Sequence, residues 1–399
     1  RRHSLSVLLA HLADIHLGFR QYHRQTPSGI NQREADVAKA FQAAVDGIIA
    51  ARPNIVVIAG DMFQAVRPTN AAIVFAFRQL QRLRDALPDT EIVIIAGNHD
   101  TPRSTETGSI LRLFSELRIH VVTDMAERIE FDSLDLAVTA VPHQAYVSGE
   151  RTPVDQKGDA KYEVLLLHGE VDAGLSPLER WWAEPLGPLL DPRDIVRAGW
   201  TYTALGHYHV THEVAPNVWY AGALEYVTLN PWGELAEERK TRVKGKGWLL
   251  VDLDSGKVTR QEVRAPRRVI DLESFDAAAL SAEEIDALIQ KRLGAIKGGY
   301  ADQIVRLVVY ETPRHVVREL DHAAIRSAKA AALHFHLDFR RPEVHRQVGS
   351  GAPGQRQTLS AVVREFLGRR LLPERIDRDA FVQRGVELLE SVTVEPDRV

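Results

Sequence analysis

The sequence predicts an α/β fold, and three observations carry that expectation. Short apolar runs rich in Ile and Val alternate with longer segments whose apolar positions recur at helical spacing. The connections between them are short, as in βαβ units. Five of the runs also end in the same way, in a small cluster of Gly with Asp, His or Asn.

In chain order, the first strand spans about Val7 to Ala13 and empties into Asp14-Ile15-His16 and Gly18. Its upstream flank, Arg1-Arg2 with Leu5 to Ala10, imitates a signal peptide. His11 and Asp14 interrupt the apolar stretch, so it reads as a core strand, and the missing initiator Met leaves room for a longer reading frame. Phe19 to Gln32 is a polar loop. Val37, Phe41, Val45, Ile48 and Ile49 then define a helix from Arg33 to Ala51, which Pro53 stops. Ile55 to Ala59 is a buried strand ending at Gly60-Asp61, and a helix from Asn70 to Leu87 follows it. Ile92 to Ala96 is the next strand, ending at Gly97-Asn98-His99-Asp100.

Beyond it come a helix near Ser109 to Leu117, strands at Ile119–Val122 and Leu134–Val141, and a surface loop over 148–160. Val164 to Leu167 ends at His168-Gly169, and Thr201 to Leu205 ends at Gly206-His207-Tyr208-His209. Trp248–Leu253 and Val258–Val263 flank Asp254-Ser255-Gly256-Lys257, a hairpin signal. The texture changes after Pro266. The expected organisation is a catalytic domain over 1–265, a small α+β domain over 266–340, a linker over 341–357 and a two-helix tail over 358–399. In the small domain, Ser281 to Glu284 forms a capping box opening a helix, and strands at Gln303–Tyr310 and Ala332–Phe339 enclose another. The tail helices, about Leu359–Leu367 and Asp379–Leu389, read equally well as a capping element or as a docking arm.

Composition bounds the function. A net charge of −4 argues against a protein that coats nucleic acid through bulk charge, without excluding a local basic groove. The lack of cysteine removes disulfides, thiolate metal sites and cysteine nucleophiles, and suits a reducing cytoplasm. No window approaches a membrane span. What remains is the strand-end set: Asp14, His16, Asp61, Asn98, His99, His168, His207 and His209. Ligand sites of open α/β sheets form outside the carboxyl ends of the strands. So many imidazoles and carboxylates at one edge are costly unless cations compensate them. The set exceeds one ion's needs, which points to two ions sharing a carboxylate. Such a pair clamps the oxygens of an in-line phosphoryl displacement, so the chemistry expected is phosphoester hydrolysis.

Asp14-Ile15-His16, Gly60-Asp61, Gly97-Asn98-His99-Asp100, His168 and Gly206-His207-Tyr208-His209 resemble, in order, the motifs of calcineurin-like metallophosphoesterases. Within them the chain is similar to the SbcD (Mre-eleven) DNA-repair nucleases, through His11 to Gly18, Gly60-Asp61-Met62-Phe63 with Arg67-Pro68, Tyr220 to Glu225, and Lys246-Gly247-Trp248. The resemblance implies a sandwich of two mixed β-sheets flanked by helices, followed by a capping domain and a helical tail. It implies that Asp14, His16 and His209 hold one ion, that Asn98, His168 and His207 hold a second, and that Asp61 bridges. His99 would act at the leaving oxygen and Asp100 would support it. The ions would be Mn²⁺. The protein would be a cytoplasmic, nucleoid-associated dimer that hydrolyses DNA ends with an SbcC-type ABC ATPase docked on the tail. The alternatives are a phosphodiesterase of nucleotides or other small esters, and a DNA-end scaffold with incidental hydrolysis.

Arg20, His23, Arg24, Arg33 and Arg67 are positioned in sequence to meet a phosphate backbone, or to be solvated. Arg239 to Lys246 reads as a solvated basic turn, and Trp181, Trp182 and Trp232 as packing residues or base-stacking platforms. His334 and His336 read as partly exposed strand positions. His143 and His212 take no role.

Overall fold

The computed structural model describes residues 6–102, 108–148, 158–172, 187–342, 359–370 and 377–393. Trp181, Trp182 and most of the 148–160 and 341–357 segments lie outside them. The chain divides into two compact units, 1–340 and 341–399.

The first unit is built on two mixed sheets. The elements run β1 (Leu8–Leu12), α1 (Gln32–Ala51), β2 (Ile55–Ile58), α2 (Asn70–Ala86), β3 (Glu91–Ile95), β4 (His120–Val122), β5 (Glu127–Phe131), β6 (Leu136–Val141), α3 (His143–Val147), β7 (Tyr162–His168), α4 (Pro192–Ala198), β8 (Tyr202–Gly206), β9 (His212–Ala215), β10 (Val218–Tyr220), α5 (Pro231–Thr241), β11 (Lys246–Asp252) and β12 (Lys257–Val263). Among the described residues, one sheet has the order β12-β11-β1-β2-β3-β4 and the other β5-β6-β7-β8-β10-β9. β1 to β4 are mutually parallel, as are β6, β7, β8 and β10, while β11 and β12 form the antiparallel hairpin that the Asp-Ser-Gly-Lys turn predicts.

The period of two in each strand explains the layering. In β1, Leu9 faces the core between the sheets, with Val57, Val93, Val138 and Val164. Ala10 and Leu12 face the opposite way, onto Val37, Phe41 and Ile48 of α1 and Leu80 of α2. The outer face of the second sheet is covered by Tyr146 of α3 and Ile195 of α4. Strands buried on both faces read as unbroken apolar runs, which is why they were visible in the sequence. The strands β5, β9 and β10 and the helices α3, α4 and α5 lack that signal. The segment Ile110–Leu117, expected as an α-helix, winds as a 3₁₀ helix that ends with Arg118 in the left-handed region at φ 55°.

After β12 the chain forms β13 (Val269–Asp271), β14 (Phe275–Asp276), α6 (Ala282–Gly294), β15 (Ile304–Tyr310), α7 (Arg314–Glu319), α8 (His322–Ala331) and β16 (His334–Phe339). All four strands run parallel, with β15 central. Their core is Ile285 and Ile289 packed on Val305, Leu307 and Phe335. The Ser281–Glu284 capping box forms as expected. The single helix expected between the strands is split into α7 and α8, with Asp321 capping the second through the N–H groups of Ala323 and Ala324. This sheet is tied to the first two by Arg267, whose Nε donates to Asp36 at 2.9 Å, and by Trp232 packed with Ile304 and Leu333.

In the second unit, α9 (Leu359–Gly368) and α10 (Arg378–Thr393) meet where Leu367 lies against Gly385. Arg378 donates to the carbonyls of Gly368 and Arg370 at 2.6 and 2.8 Å, capping the carboxyl end of α9.

Candidate metal centre

The carboxyl ends of β1, β2, β3, β7 and β8 meet at one edge, and the loops that leave them are laced together. Asp14 N–H donates to the Gly60 carbonyl at 3.1 Å and His16 N–H to the Asp61 carbonyl at 2.9 Å. His207 N–H donates to both oxygens of Asp14, at 2.9 and 3.1 Å, joining the second sheet to the first. To turn so tightly, Asp14, His16 and Asp61 adopt φ of 52°, 52° and 53°, and His207 a φ of 114°. Backbone of this kind costs about 1–3 kcal/mol per residue and persists where its surroundings over-determine it. Glycine is required beside them. A Cβ on Gly60 would lie 2.4 Å from His168 Nδ1, and one on Gly97 would lie 2.1 Å from Asp61 Oδ1.

All the strand-end residues expected to converge do so. Asp61 Oδ2 is 3.6 Å from His16 Nε2 and 3.5 Å from His168 Nε2, so one carboxylate oxygen faces rings from both sheets. His16 Nε2 is 3.2 Å from His209 Nε2. Asp14, His16 and His209 form one group able to hold a metal ion, His16, Asp61 and His99 another, and Asp14, Asp61 and His168 a third. The electrostatics match a site built for cations. Burial and the charge of Asp61 raise the Asp14 carboxyl well above the carboxylate range. Burial opposes ionisation of Asp61 too, but the His168, His16 and His99 rings and the His99 N–H outweigh it and hold Asp61 below that range. Burial brings His168 down to about 4 and His16 well below its ordinary value, leaving neutral rings with lone pairs to offer.

The ring nitrogens test the fit of a metal directly. His168 Nδ1 donates to the Ala59 carbonyl at 2.7 Å, so in the neutral ring Nε2 carries a lone pair. That lone pair meets two more acceptors, Asn98 Oδ1 at 3.0 Å and Asp61 Oδ2 at 3.5 Å. Three acceptors facing one another repel unless a cation lies among them. His16 Nδ1, His207 Nε2 and His209 Nδ1 are also buried without hydrogen-bond partners. An all-oxygen-and-nitrogen donor set suits a divalent ion of the Mn²⁺, Fe²⁺ or Zn²⁺ kind, and the residues fit.

His99 and Asp100 do different work. His99 Nδ1 donates to the Gln64 carbonyl at 2.8 Å, which leaves Nε2 outside that bond. Its ring stands edge-on to His16, with centroids 4.7 Å apart. Asp100 accepts the N–H groups of Met62, Phe63 and Gly97 at 3.0, 3.0 and 3.1 Å, clamping the loop after β2 to the loop after β3. Burial and the Asp61 charge raise Asp100 to about 7.

The basic residues divide. Arg20 lines the pocket and pairs with Glu34 at 2.7 Å, and Arg67 is exposed. Arg24 is engaged elsewhere, by Asp302 and by the Ala330 carbonyl at 2.5 Å. Arg33 is no phosphate contact: it is 1% exposed, pairs with Asp36 and Glu225, and donates to the Tyr226 carbonyl at 2.7 Å. The basic turn is corrected at its end as well. Lys246 is 2% exposed, pairs with Glu234 and Glu238, and donates to the His209 carbonyl at 3.0 Å. Burial opposes the charge of Glu234, yet Lys246 and His209 hold it down to about 2. Glu234 Oε1 also accepts the N–H and hydroxyl of Thr228, at 3.2 and 2.7 Å, so it mounts the pocket loop over His209. Glu234 was not found from sequence. An acidic residue in the first turns of a helix reads as solvated until its buried partner is known. Glu170, in the loop after β7 and 3.5 Å from His207 Nε2, was missed as well.

The model of the calcineurin-like phosphoesterase family matches residues 7–226. Curated relatives carry the name DNA double-strand break repair protein Mre11. The one from Methanocaldococcus jannaschii is 25% identical over 277 residues, 67% of each chain. That from Methanopyrus kandleri is 26% identical over 414 residues, 96% of this chain and 82% of the relative. The Saccharolobus solfataricus relative is 30% identical over 206 residues, 51% of this chain and 49% of its own length. The chain thus spans about half of some of these relatives and most of others.

Proposed function

The chain belongs to the calcineurin-like phosphoesterases, metal-dependent enzymes of phosphoester cleavage, and on that premise we propose that it is a two-metal DNA nuclease of the SbcD (Mre-eleven) type. In this reading Asp14, His16 and His209 hold one divalent ion, Asn98, His168 and His207 the other, and Asp61 spans both. The observation that carries it is the position of Asp61 Oδ2, within 3.6 Å of His16 Nε2 and 3.5 Å of His168 Nε2, rings that come from different sheets. When bound, the ion pair polarises the phosphodiester and supplies the nucleophile at neutral pH. The chain's own part is to orient and to move a proton. The Ala59 and Gln64 carbonyls fix the His168 and His99 rings, and the Asp100 clamp holds His99 beside the pocket. With Nδ1–H held by the Gln64 carbonyl, His99 acts from its imidazolium form, its Nε2–H giving the proton to the departing oxygen and leaving the neutral ring.

Names of the archaeal relatives support DNA as the substrate, and the donor set admits Mn²⁺ alongside Fe²⁺ and Zn²⁺, Mn²⁺ being the ion the family resemblance implies. The SbcC-type ATPase on the tail, the homodimer, the 266–340 capping domain and nucleoid association belong to the same proposal. No helix among the described residues is long and apolar enough to cross a membrane. The test compares Mn²⁺-dependent hydrolysis of plasmid, linear duplex, oligonucleotide and bis(p-nitrophenyl) phosphate. DNA cleavage that His99→Ala abolishes, with metal content intact, is the expected result. Hydrolysis of the small diester alone overturns the nuclease reading.

A further inference from the structure

Two chain segments that wall the metal pocket continue past it to wall a second groove. Phe19 and Arg20 face Val227 to Asn230 across the metal pocket. The next residues of the same segments, Tyr22 and His23 on one side and Trp232 on the other, border a groove of about 700 Å³ that His334 and His336 of β16 complete. Leu229 belongs to both and forms the ridge between them. It is 80% exposed, although its backbone is held firmly. Its carbonyl accepts Gln21 Nε2 at 2.9 Å. Thr228 before it is anchored on Glu234, and Pro231 after it opens α5.

The groove wall is a set of rings. Tyr22 stacks on His334 with centroids 4.1 Å apart and planes 13° from parallel. His336 lies 6.0 Å from His334 at 25° and 5.3 Å from Trp232. Burial lowers His334 to about 4, so its ring is an uncharged π surface at neutral pH. The groove's guanidinium, Arg24, is already engaged by Asp302 and the Ala330 carbonyl. Flat rings beside an apolar ridge, with the groove's guanidinium already paired, suit a heterocycle better than a phosphate.

We propose that this groove holds an unpaired nucleobase of the polynucleotide whose phosphodiester lies in the metal pocket, with Leu229 as the apolar wedge that parts it from its neighbour. The continuity of the walls makes the two sites neighbours on one strand path, and apolar side chains at base steps are an established means of unstacking. The inference rests on the nuclease reading above and names the strand geometry it uses.

The test uses the metal-loaded full chain and oligonucleotides whose end linkages are phosphorothioates, which resist hydrolysis. A 2-aminopurine is placed in a single-stranded overhang. Wild type is expected to quench its fluorescence on binding. Leu229→Ala and His336→Ala, both at exposed positions, should bind the overhang about ten-fold more weakly and lose most of the quench. The affinity of His336→Ala, which lies outside the metal pocket, for a duplex with cross-linked ends, which frees no base, should match wild type. Unchanged quenching in both variants, or an equal loss by His336→Ala on the cross-linked duplex, overturns the groove. Cleavage of the unmodified oligonucleotide by wild type is read separately. Its absence sinks the nuclease reading, whereas its presence with unaltered stacking in the variants sinks only the groove.

Discussion

Two sets of histidines in this chain sit on strands or at strand ends, and they behave differently. His16, His168, His207 and His209 are gathered at the edge of the two large sheets, and their ring nitrogens face carboxylates, an amide oxygen or one another. His334 and His336, on the small parallel sheet, meet their neighbours through ring faces instead, against Tyr22 and Trp232. The first set leaves buried nitrogens without partners, at His16, His207 and His209, and the second is absent from that group. The difference shows what makes a metal centre. The number of imidazoles matters less than whether lone pairs converge on a point already occupied by other acceptors.

Four substitutions test that contrast, in descending order of expected effect. Asp61→Asn keeps the size of the side chain and removes the charge between the His16 and His168 rings. Hydrolysis should fall on the order of 10⁴-fold, and mass spectrometry should find less than the full metal complement. Full metal with full activity would show that Asp61 does not bridge. His99→Ala should lower turnover about 10³-fold while metal content stays at the wild-type level, because the proposed reading places His99 in neither ligand set. Lys246→Met leaves the Glu234 carboxylate buried and unpaired, and denaturant unfolding should register about 3 kcal/mol of lost stability. A loss near zero would mean that Glu234 takes up a proton or water at little cost. Arg24→Ala, at the half-exposed pair with Asp302, should change stability by no more than about 1 kcal/mol in the same measurement.

Much of the metal centre was legible in the sequence for a topological reason. Parallel strands deliver their carboxyl ends to one edge, so polar residues that follow apolar runs are bound to be neighbours. Asp14, His16, Asp61, Asn98, His168 and His207 were all visible in this way, and the distances place them together. β5 and β9 escaped because they lie at sheet edges with mostly exposed or half-buried residues and no unbroken apolar run, and β10 because it has only three residues. The 3₁₀ winding of Ile110–Leu117 escaped too, since its apolar spacing is compatible with either helix over so short a span.

What the sequence by itself determined was the order of the elements and the identity of the donors at their ends. Both follow from local periodicity and strand direction. Only the tertiary structure decided which charged residues are solvated and which are buried. Arg33 and Lys246 look like surface cations in the chain, yet one holds Glu225 and Asp36 in the core and the other anchors His209 and Glu234. Leu229 and the rings of Tyr22, Trp232, His334 and His336 come from three distant segments, and nothing local predicts that they meet. A side chain's partner across the fold sets its desolvation and its charge, and that partner is fixed by packing.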